Sequence, residues 1–316
     1  MNILFSANIS EKHQLKLREH FPDMTFTFCR QMDEARQHID QATILVTYGN
    51  DLTADLVSQA ASLKWIMVLS AGMEEMPFAA IREQGILVTN VRGIHKYPMA
   101  EYALSMLLQV YRQEKQLMKN EEEKVWDPSL KMHELNGDTL LIAGTGAIGQ
   151  EVARLAKAFR MTVYGVSRSG RKLDNFDSCL TWDELNRVLP EADAVVSVLP
   201  STPETQDFFV EEHFQQLPDH AVFLNMGRGD VVQDSTILQA VHNETIAHAV
   251  LDVFNEEPLP ADHPFWDEPN ITITPHISGV SGNYLSRGLA IFEQNLTIYL
   301  DGGSRFENQI DLSRGY

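Results

Sequence analysis

Leu140-Leu141-Ile142-Ala143-Gly144-Thr145-Gly146-Ala147-Ile148-Gly149 is an apolar run that passes directly into a glycine turn of the form GxGxxG. The run has the composition of a strand buried on both faces. Beyond it, Val152, Leu155, Ala156 and Phe159 recur at the helical spacing i, i+3, i+4, i+7, and residues 162–166 read as a further strand. A glycine turn is a weak signal alone, but between a strand and a helix each glycine acquires a purpose. Gly144 permits the tight turn, Gly146 lets the backbone approach a pyrophosphate, and Gly149 lets helix and strand pack closely. With Thr145, Ala147 and Ile148 they form a cradle at the positive end of the helix. The spacing therefore predicts dinucleotide binding.

The rhythm extends in both directions. Upstream, strands are predicted over 3–7, 25–28, 43–47, 65–69 and 86–89, with helices over 11–20 and 53–60. Downstream they are predicted over 140–143, 162–166, 194–199, 222–225, 248–253 and 271–274. Residues 99–119 carry apolar side chains around much of a helix free of Gly and Pro, which reads as a connector and dimer surface or as an ordinary core helix. The charged stretch 119–124 is expected to be a solvated loop. A last apolar-periodic helix over 284–300 follows the final strand and is expected to return to the first unit. The expected fold is α/β, with two Rossmann-like, doubly wound parallel-sheet domains. The first spans 1–98, completed by 283–316, and the second 99–282.

The strand over 162–166 leads into Ser167-Arg168-Ser169, with Arg171 and Lys172 close behind. A carboxylate here would accept hydrogen bonds from the ribose 2′-hydroxyl of NAD. None is present, and Arg offers a planar fork of donors for a 2′-phosphate. The expectation is NADP(H), with NAD(H) left open. Arg171 and Lys172 also read as solvated loop charges.

Composition narrows the function. The 316 residues carry a formal net charge of −19, which argues against nucleic acid and anionic lipid as partners. No stretch reads as a membrane span, and no signal peptide or metal-ligand spacing is visible. The two cysteines, Cys29 and Cys179, fit a reducing cytoplasm, although one disulfide stays open.

Three segments follow strands where open α/β sheets hold ligands: Asn225-Met226-Gly227-Arg228-Gly229, Asp252 to Glu257-Pro258, and Thr274-Pro275-His276-Ile277-Ser278-Gly279. In order and spacing the chain resembles the D-isomer-specific 2-hydroxyacid dehydrogenase family, over essentially its whole length. A 2-keto acid has a carboxylate to be held and a carbonyl to be protonated. Arg228 suits the former, His276 is the candidate acid, and Glu257 orients the imidazole. The resemblance places the same roles on these residues, and its Glu-Pro adjacency selects Glu257 over Glu256.

The resemblance further implies that Leu199, Pro200 and Thr205 line the cofactor loop, with Val198 where the family usually has His. It puts Met226 and Gly227 beside the cofactor, and Asp252, Ser278 and Gly279 at the nicotinamide end. Ser70-Ala71-Gly72-Met73-Glu74 resembles the loop whose N–H groups hold the substrate carboxylate, in the form typical of the glyoxylate/hydroxypyruvate reductase branch. The implied activity is reduction of glyoxylate or hydroxypyruvate by a homodimer. The alternatives are a phosphoglycerate dehydrogenase and, in another class, a dinucleotide-sensing interaction protein similar to the family's corepressors.

Overall fold

The computed structural model describes residues 1–70, 73 and 75–312. It divides into two compact units: Met1–Ile94 together with the chain from Ser281, and His95–Val280. These joints fall a few residues earlier than the expected 98/99 and 282/283.

The first unit is a five-stranded sheet. Its strands are β1 (Asn2–Phe5), β2 (Thr25–Phe28), β3 (Ile44–Thr47), β4 (Trp65–Val68) and β5 (Leu87–Asn90), all parallel in the order β2-β1-β3-β4-β5. The strands β3 and β4 are buried along their whole length, which is why they read as unbroken apolar runs. The tail helix Tyr284–Leu300 packs on this sheet, with Leu289, Phe292 and Leu296 in one core cluster with Ile3, Phe5 and Trp65. Trp65 stacks on Phe292 and Tyr299, centroids 5.5 and 5.7 Å apart, and its Nε1 donates to Thr89 Oγ1 at 2.9 Å. Each fully buried ring of this kind contributes about 1.5–3 kcal/mol by leaving water. The first unit is thus discontinuous in sequence.

The second unit is a seven-stranded sheet of β6 (Thr139–Ala143), β7 (Thr162–Ser167), β8 (Ser178–Thr181), β9 (Ala194–Ser197), β10 (Val222–Asn225), β11 (His248–Leu251) and β12 (Ile271–Ile273). All are parallel, in the order β12-β11-β10-β9-β6-β7-β8. Counted from β6 this is 3-2-1-4-5-6-7, the doubly wound arrangement, with the winding reversed between β6 and β9.

Two expectations need correction. The helix expected over 99–119 is two helices, Lys96–Tyr111 and Glu114–Glu123, separated by Gln113 in the left-handed region at φ 57°. The stretch 119–124, expected as loop, completes the second helix, because Glu, Lys, Gln, Leu and Met are strong helix formers and charge alone does not break a helix. It stops at Lys124, φ 56°, whose N–H donates to the Glu121 carbonyl. The edge strand β8 was not anticipated. It pairs only with β7, and three of its four residues are only partly buried.

Candidate active site

The glycine turn is held by close packing. A Cβ on Gly149 would lie 2.1 Å from the Gly144 carbonyl oxygen, so helix and strand could not meet with any larger residue. Gly144 itself has φ +102° and donates its N–H to Val166 at 2.9 Å. Gly146 differs, since a Cβ there would meet nothing within 4 Å. The turn is packed below and open above. Gln150 Nε2 donates to the Thr145 and Gly146 carbonyls at 3.2 and 3.3 Å, fixing the loop. No side chain caps the helix Ala147–Ala158, so the N–H groups around Ala147, Ile148 and Gly149 are available to an anion.

At the end of β7 the Ser167 hydroxyl is buried with no partner among the described residues. Arg168, Ser169, Arg171 and Lys172 beyond it are exposed, and the three cations make no ion pair among the described residues. An open turn, an uncapped helix, an orphaned hydroxyl and unpaired cations together fit a phosphate-bearing dinucleotide.

The neighbouring strands β10, β11 and β12 end in the three segments singled out by sequence. After β10, buried Asn225 accepts from the Gly227 N–H at 3.2 Å and donates to the Arg228 carbonyl at 2.9 Å. This clip shapes the loop, and the sequence reading did not single it out as a site residue. Arg228 is exposed, with Nη1 donating to the Gly227 carbonyl at 2.8 Å. A Cβ on Gly227 would lie 2.5 Å from Leu199 O, and one on Gly229 2.0 Å from the Phe254 carbonyl carbon. The Arg228 loop is therefore pressed between the loops that follow β9 and β11.

Glu257 and His276 meet, Oε2 to Nδ1, at 2.8 Å. The other Glu257 oxygen accepts from the Phe254 N–H at 3.0 Å, which orients the carboxylate. The imidazole is half exposed, and its Nε2 has no partner among the described residues. Backbone geometry aims the ring: His276 sits at φ 52°, its N–H donating to the Asp252 and Thr274 carbonyls at 2.9 and 3.0 Å.

Asp252 is wholly buried. One of its oxygens accepts from Ile277 N at 2.9 Å and Thr274 Oγ1 at 2.5 Å, the other from Ser278 N at 2.9 Å. Because Thr274 donates to Asp252, the Tyr102 hydroxyl 2.6 Å away donates to Thr274. Burial pushes the Tyr102 phenol well above its ordinary range, which keeps that proton in place. Tyr102, Thr274 and Asp252 thus form a brace under the His276 loop. Sequence reasoning quoted Thr274 only as the start of the His276 segment and missed its link to Tyr102, since the contact spans 172 residues.

The remaining expected residues fall as follows. Leu199 and Met226 are buried, Pro200 is exposed, and Thr205 Oγ1 donates to the Pro200 carbonyl at 2.5 Å, closing that loop. Ser278 is buried, and the Gly279 carbonyl lies 3.3 Å from His95 Nδ1. Val198, in place of a histidine, packs against the core. In the first unit, Met73 is buried and its sulfur accepts from Asn90 Nδ2 at 3.2 Å, while Ala71 and Gly72 lie outside the described residues.

Comparison with known proteins agrees with this architecture. Residues 104–278 match the family model described as "D-isomer specific 2-hydroxyacid dehydrogenase, NAD binding domain". The chain is 30% identical over 233 residues to glyoxylate/hydroxypyruvate reductase A of Yersinia enterocolitica, covering 72% of this chain and 74% of the relative. A D-isomer specific 2-hydroxyacid dehydrogenase family protein from Aeromonas salmonicida superposes with a TM-score of 0.85 at 34% identity, covering 98% of this chain and 99% of that one. A probable 2-hydroxyacid dehydrogenase from Rhizobium etli, solved with NADP, HEPES and L(+)-tartaric acid, gives 0.77 at 26% identity, covering 100% and 99%.

Proposed function

The chain belongs to the D-isomer specific 2-hydroxyacid dehydrogenase family, oxidoreductases acting on CH–OH donors, and from that premise we propose that it reduces glyoxylate or hydroxypyruvate with NADPH. The observation that carries this reading is the asymmetry of His276: Glu257 holds Nδ1, while Nε2 is left open at the carboxyl edge of the sheet.

Arg228 binds the substrate carboxylate and the adjacent carbonyl oxygen through its fork of N–H groups. The family resemblance further assigns Ala71, Gly72 and Met73 to binding of the substrate carboxylate. His276 Nε2–H donates its proton to the oxygen of the carbonyl as that oxygen becomes an alkoxide, and takes it back in the reverse reaction. Glu257 accepts from Nδ1–H and so turns Nε2, which carries this proton in the imidazolium form, toward the substrate. When bound, the nicotinamide supplies the hydride that reaches the carbonyl carbon.

The Gly144–Gly149 turn would hold the pyrophosphate, and Leu199, Pro200, Thr205, Met226, Gly227, Asp252, Ser278 and Gly279 would form the loops around the rest of the cofactor. Ser167, Arg168 and Ser169 would hold the 2′-phosphate, which favours NADPH over NADH. The choice is supported by the unpaired cations and by the Rhizobium etli neighbour solved with NADP. A homodimer is supported by Met118, Val125 and Trp126, exposed by 55%, 49% and 94% on and just after the second half of the interrupted helix. Free thiols at Cys29 and Cys179 fit a cytoplasmic protein. No helix among the described residues is long and apolar enough to cross a membrane.

The test is cofactor oxidation, followed by absorbance, with glyoxylate, hydroxypyruvate, pyruvate and phosphohydroxypyruvate and with both NADPH and NADH. Rapid turnover of the first two acids with NADPH is expected. Preference for the phosphorylated acid, or cofactor binding with no turnover of any acid, would contradict the reading.

A further inference from the structure

The loop after β11, which carries Glu257, is held at two places by one carboxylate outside the proposed proton and hydride steps. Asp234 opens the helix Asp234–His242, on the chain that leaves Arg228. Its Oδ1 accepts from Asn255 Nδ2 at 2.8 Å, and its Oδ2 lies 3.3 Å from His263 Nε2. Asn255 comes before Glu257 in the chain and His263 after it, so both arms of the Glu257 turn converge on one side chain. Asn255 Nδ2 also reaches the Val232 carbonyl at 3.4 Å.

Each partner is prepared for this contact. The Phe265 N–H donates to His263 Nδ1 at 3.3 Å, so in the neutral ring Nδ1 is the acceptor and Nε2–H donates to Asp234. The ring packs edge-on against Phe265, centroids 4.5 Å apart, and only 16% of the side chain is exposed. The Pro260 carbonyl accepts from His263 N at 3.1 Å and from Trp266 Nε1 at 2.8 Å, which fixes the arm that brings the histidine back. Gln233, just before the helix, gives its amide to Asp207 and does not cap the first turn. Asp234 supplies the negative charge at the positive end of that helix and the acceptor for both arms.

This placement bears on the acid. The Arg228 and Glu257 loops touch, since a Cβ on Gly229 would lie 2.0 Å from the Phe254 carbonyl carbon. The Phe254 N–H is also the group that orients the Glu257 carboxylate, at 3.0 Å. Van der Waals contact sets how closely the loops approach, whereas directional hydrogen bonds to an ionised group set their register.

We infer that Asp234 is a positioning residue of the reductase. Through Asn255 and His263 it fixes the Glu257 turn against the Arg228 loop, so that the His276 imidazole and the Arg228 guanidinium address one substrate. This rests on the proposed reductase activity and adds to it the group that ties the acid to the substrate clamp.

The test uses the intact chain with NADPH and glyoxylate or hydroxypyruvate. Asp234→Ala should lower kcat about tenfold while the dissociation constant for NADPH stays within about twofold. The solvent isotope effect on kcat should rise, because proton donation from a misaligned imidazole becomes the slow step. A mere loss of folded protein would lower the active fraction and leave that isotope effect unchanged. Asn255→Ala removes one arm at an exposed side chain and should lower kcat about threefold. The double variant should lose no more than Asp234→Ala alone, since both remove the same contact. Asp234→Asn keeps one acceptor oxygen and should recover part of the loss. Should Asp234→Ala fail to fold, Asn255→Ala and Asp234→Asn carry the same readouts. An unchanged kcat, a fall in kcat with an unchanged isotope effect, or additive losses in the double variant overturn the role of Asp234 alone. No turnover of either acid by the unaltered chain overturns the reductase reading and this inference with it.

Discussion

His276 with Glu257 and His220 with Asp193 are nearly the same pair twice, at opposite ends of one sheet. Their contacts are 2.8 and 2.7 Å, and both imidazoles are about half exposed. His220 precedes β10 and Asp193 precedes β9, at the amino ends of the strands, whereas His276 follows β12 at the carboxyl ends. The surroundings differ more than the pairs do. His220 stacks on His133, with Asp219 3.5 Å from its second nitrogen, and the same Asp193 accepts from Thr139 N at 2.7 Å. Both of its nitrogens face carboxylates, so it has nothing left to offer a substrate. His276 keeps one nitrogen open at the end of the sheet where the strand before Arg228 also finishes. A histidine–carboxylate pair is therefore not evidence of proton transfer; an unengaged second nitrogen at the ligand-binding edge of the sheet is the informative part.

The sharpest way to break this contrast is to remove each histidine. His276→Asn should lower kcat for keto-acid reduction by about 100- to 10,000-fold with NADPH affinity nearly intact, and steady-state kinetics with cofactor titration check both. His220→Gln should leave kcat unchanged. If the two substitutions cost the same, the contrast fails. A second substitution sharpens what the carboxyl edge recognises: Arg168→Asp should raise KM for NADPH about tenfold or more and leave KM for NADH little changed. Equal effects on the two cofactors would leave those cations as solvated charge.

Smaller effects probe how the edge is braced. Tyr102→Phe removes one hydrogen bond, worth about 0.5–1.5 kcal/mol, from the Thr274–Asp252 brace. It should lower kcat about three- to tenfold with KM unchanged, since Tyr102 positions the His276 loop without touching substrate. A loss confined to thermal stability would make the brace purely structural. The smallest effect belongs to the amino edge. Hydrogen bonding to Asp193, above all, raises the His220 pKa. Stability from that pair is fully present below the unfolded value of about 6.5 and is lost as pH rises through the higher folded value. The melting temperature of His220→Gln should lack this decline. An unchanged pH dependence would mean that the pair does not titrate as described.

The same contrast shows what a sequence displays. Strands such as β3, β4, β9 and β10 are buried on both faces, so they stand out as continuous apolar runs, and the glycine turn stands out because only glycine fits at Gly144 and Gly149. Arg228 was legible as a candidate because it follows such a strand, and Glu257 and His276 were because they follow short apolar runs, β11 and β12, although β12 is only partly buried. The edge strand β8 was not, since Ser178-Cys179-Leu180-Thr181 buries only Leu180 fully. Nor was the break at Gln113, where no glycine or proline marks the left-handed residue. The Tyr102–Thr274 contact depends on which distant segments meet, and no local pattern encodes that.

The most direct measurement is a crystal structure of the chain with NADP⁺ and oxamate, an unreactive mimic of glyoxylate. The account predicts the pyrophosphate on the Gly144–Gly149 turn, the His276 Nε2 within about 2.6–3.2 Å of the oxamate carbonyl oxygen, and Arg228 on the same ligand. An oxamate held elsewhere, or Arg228 and His276 directed at different ligands, would contradict it.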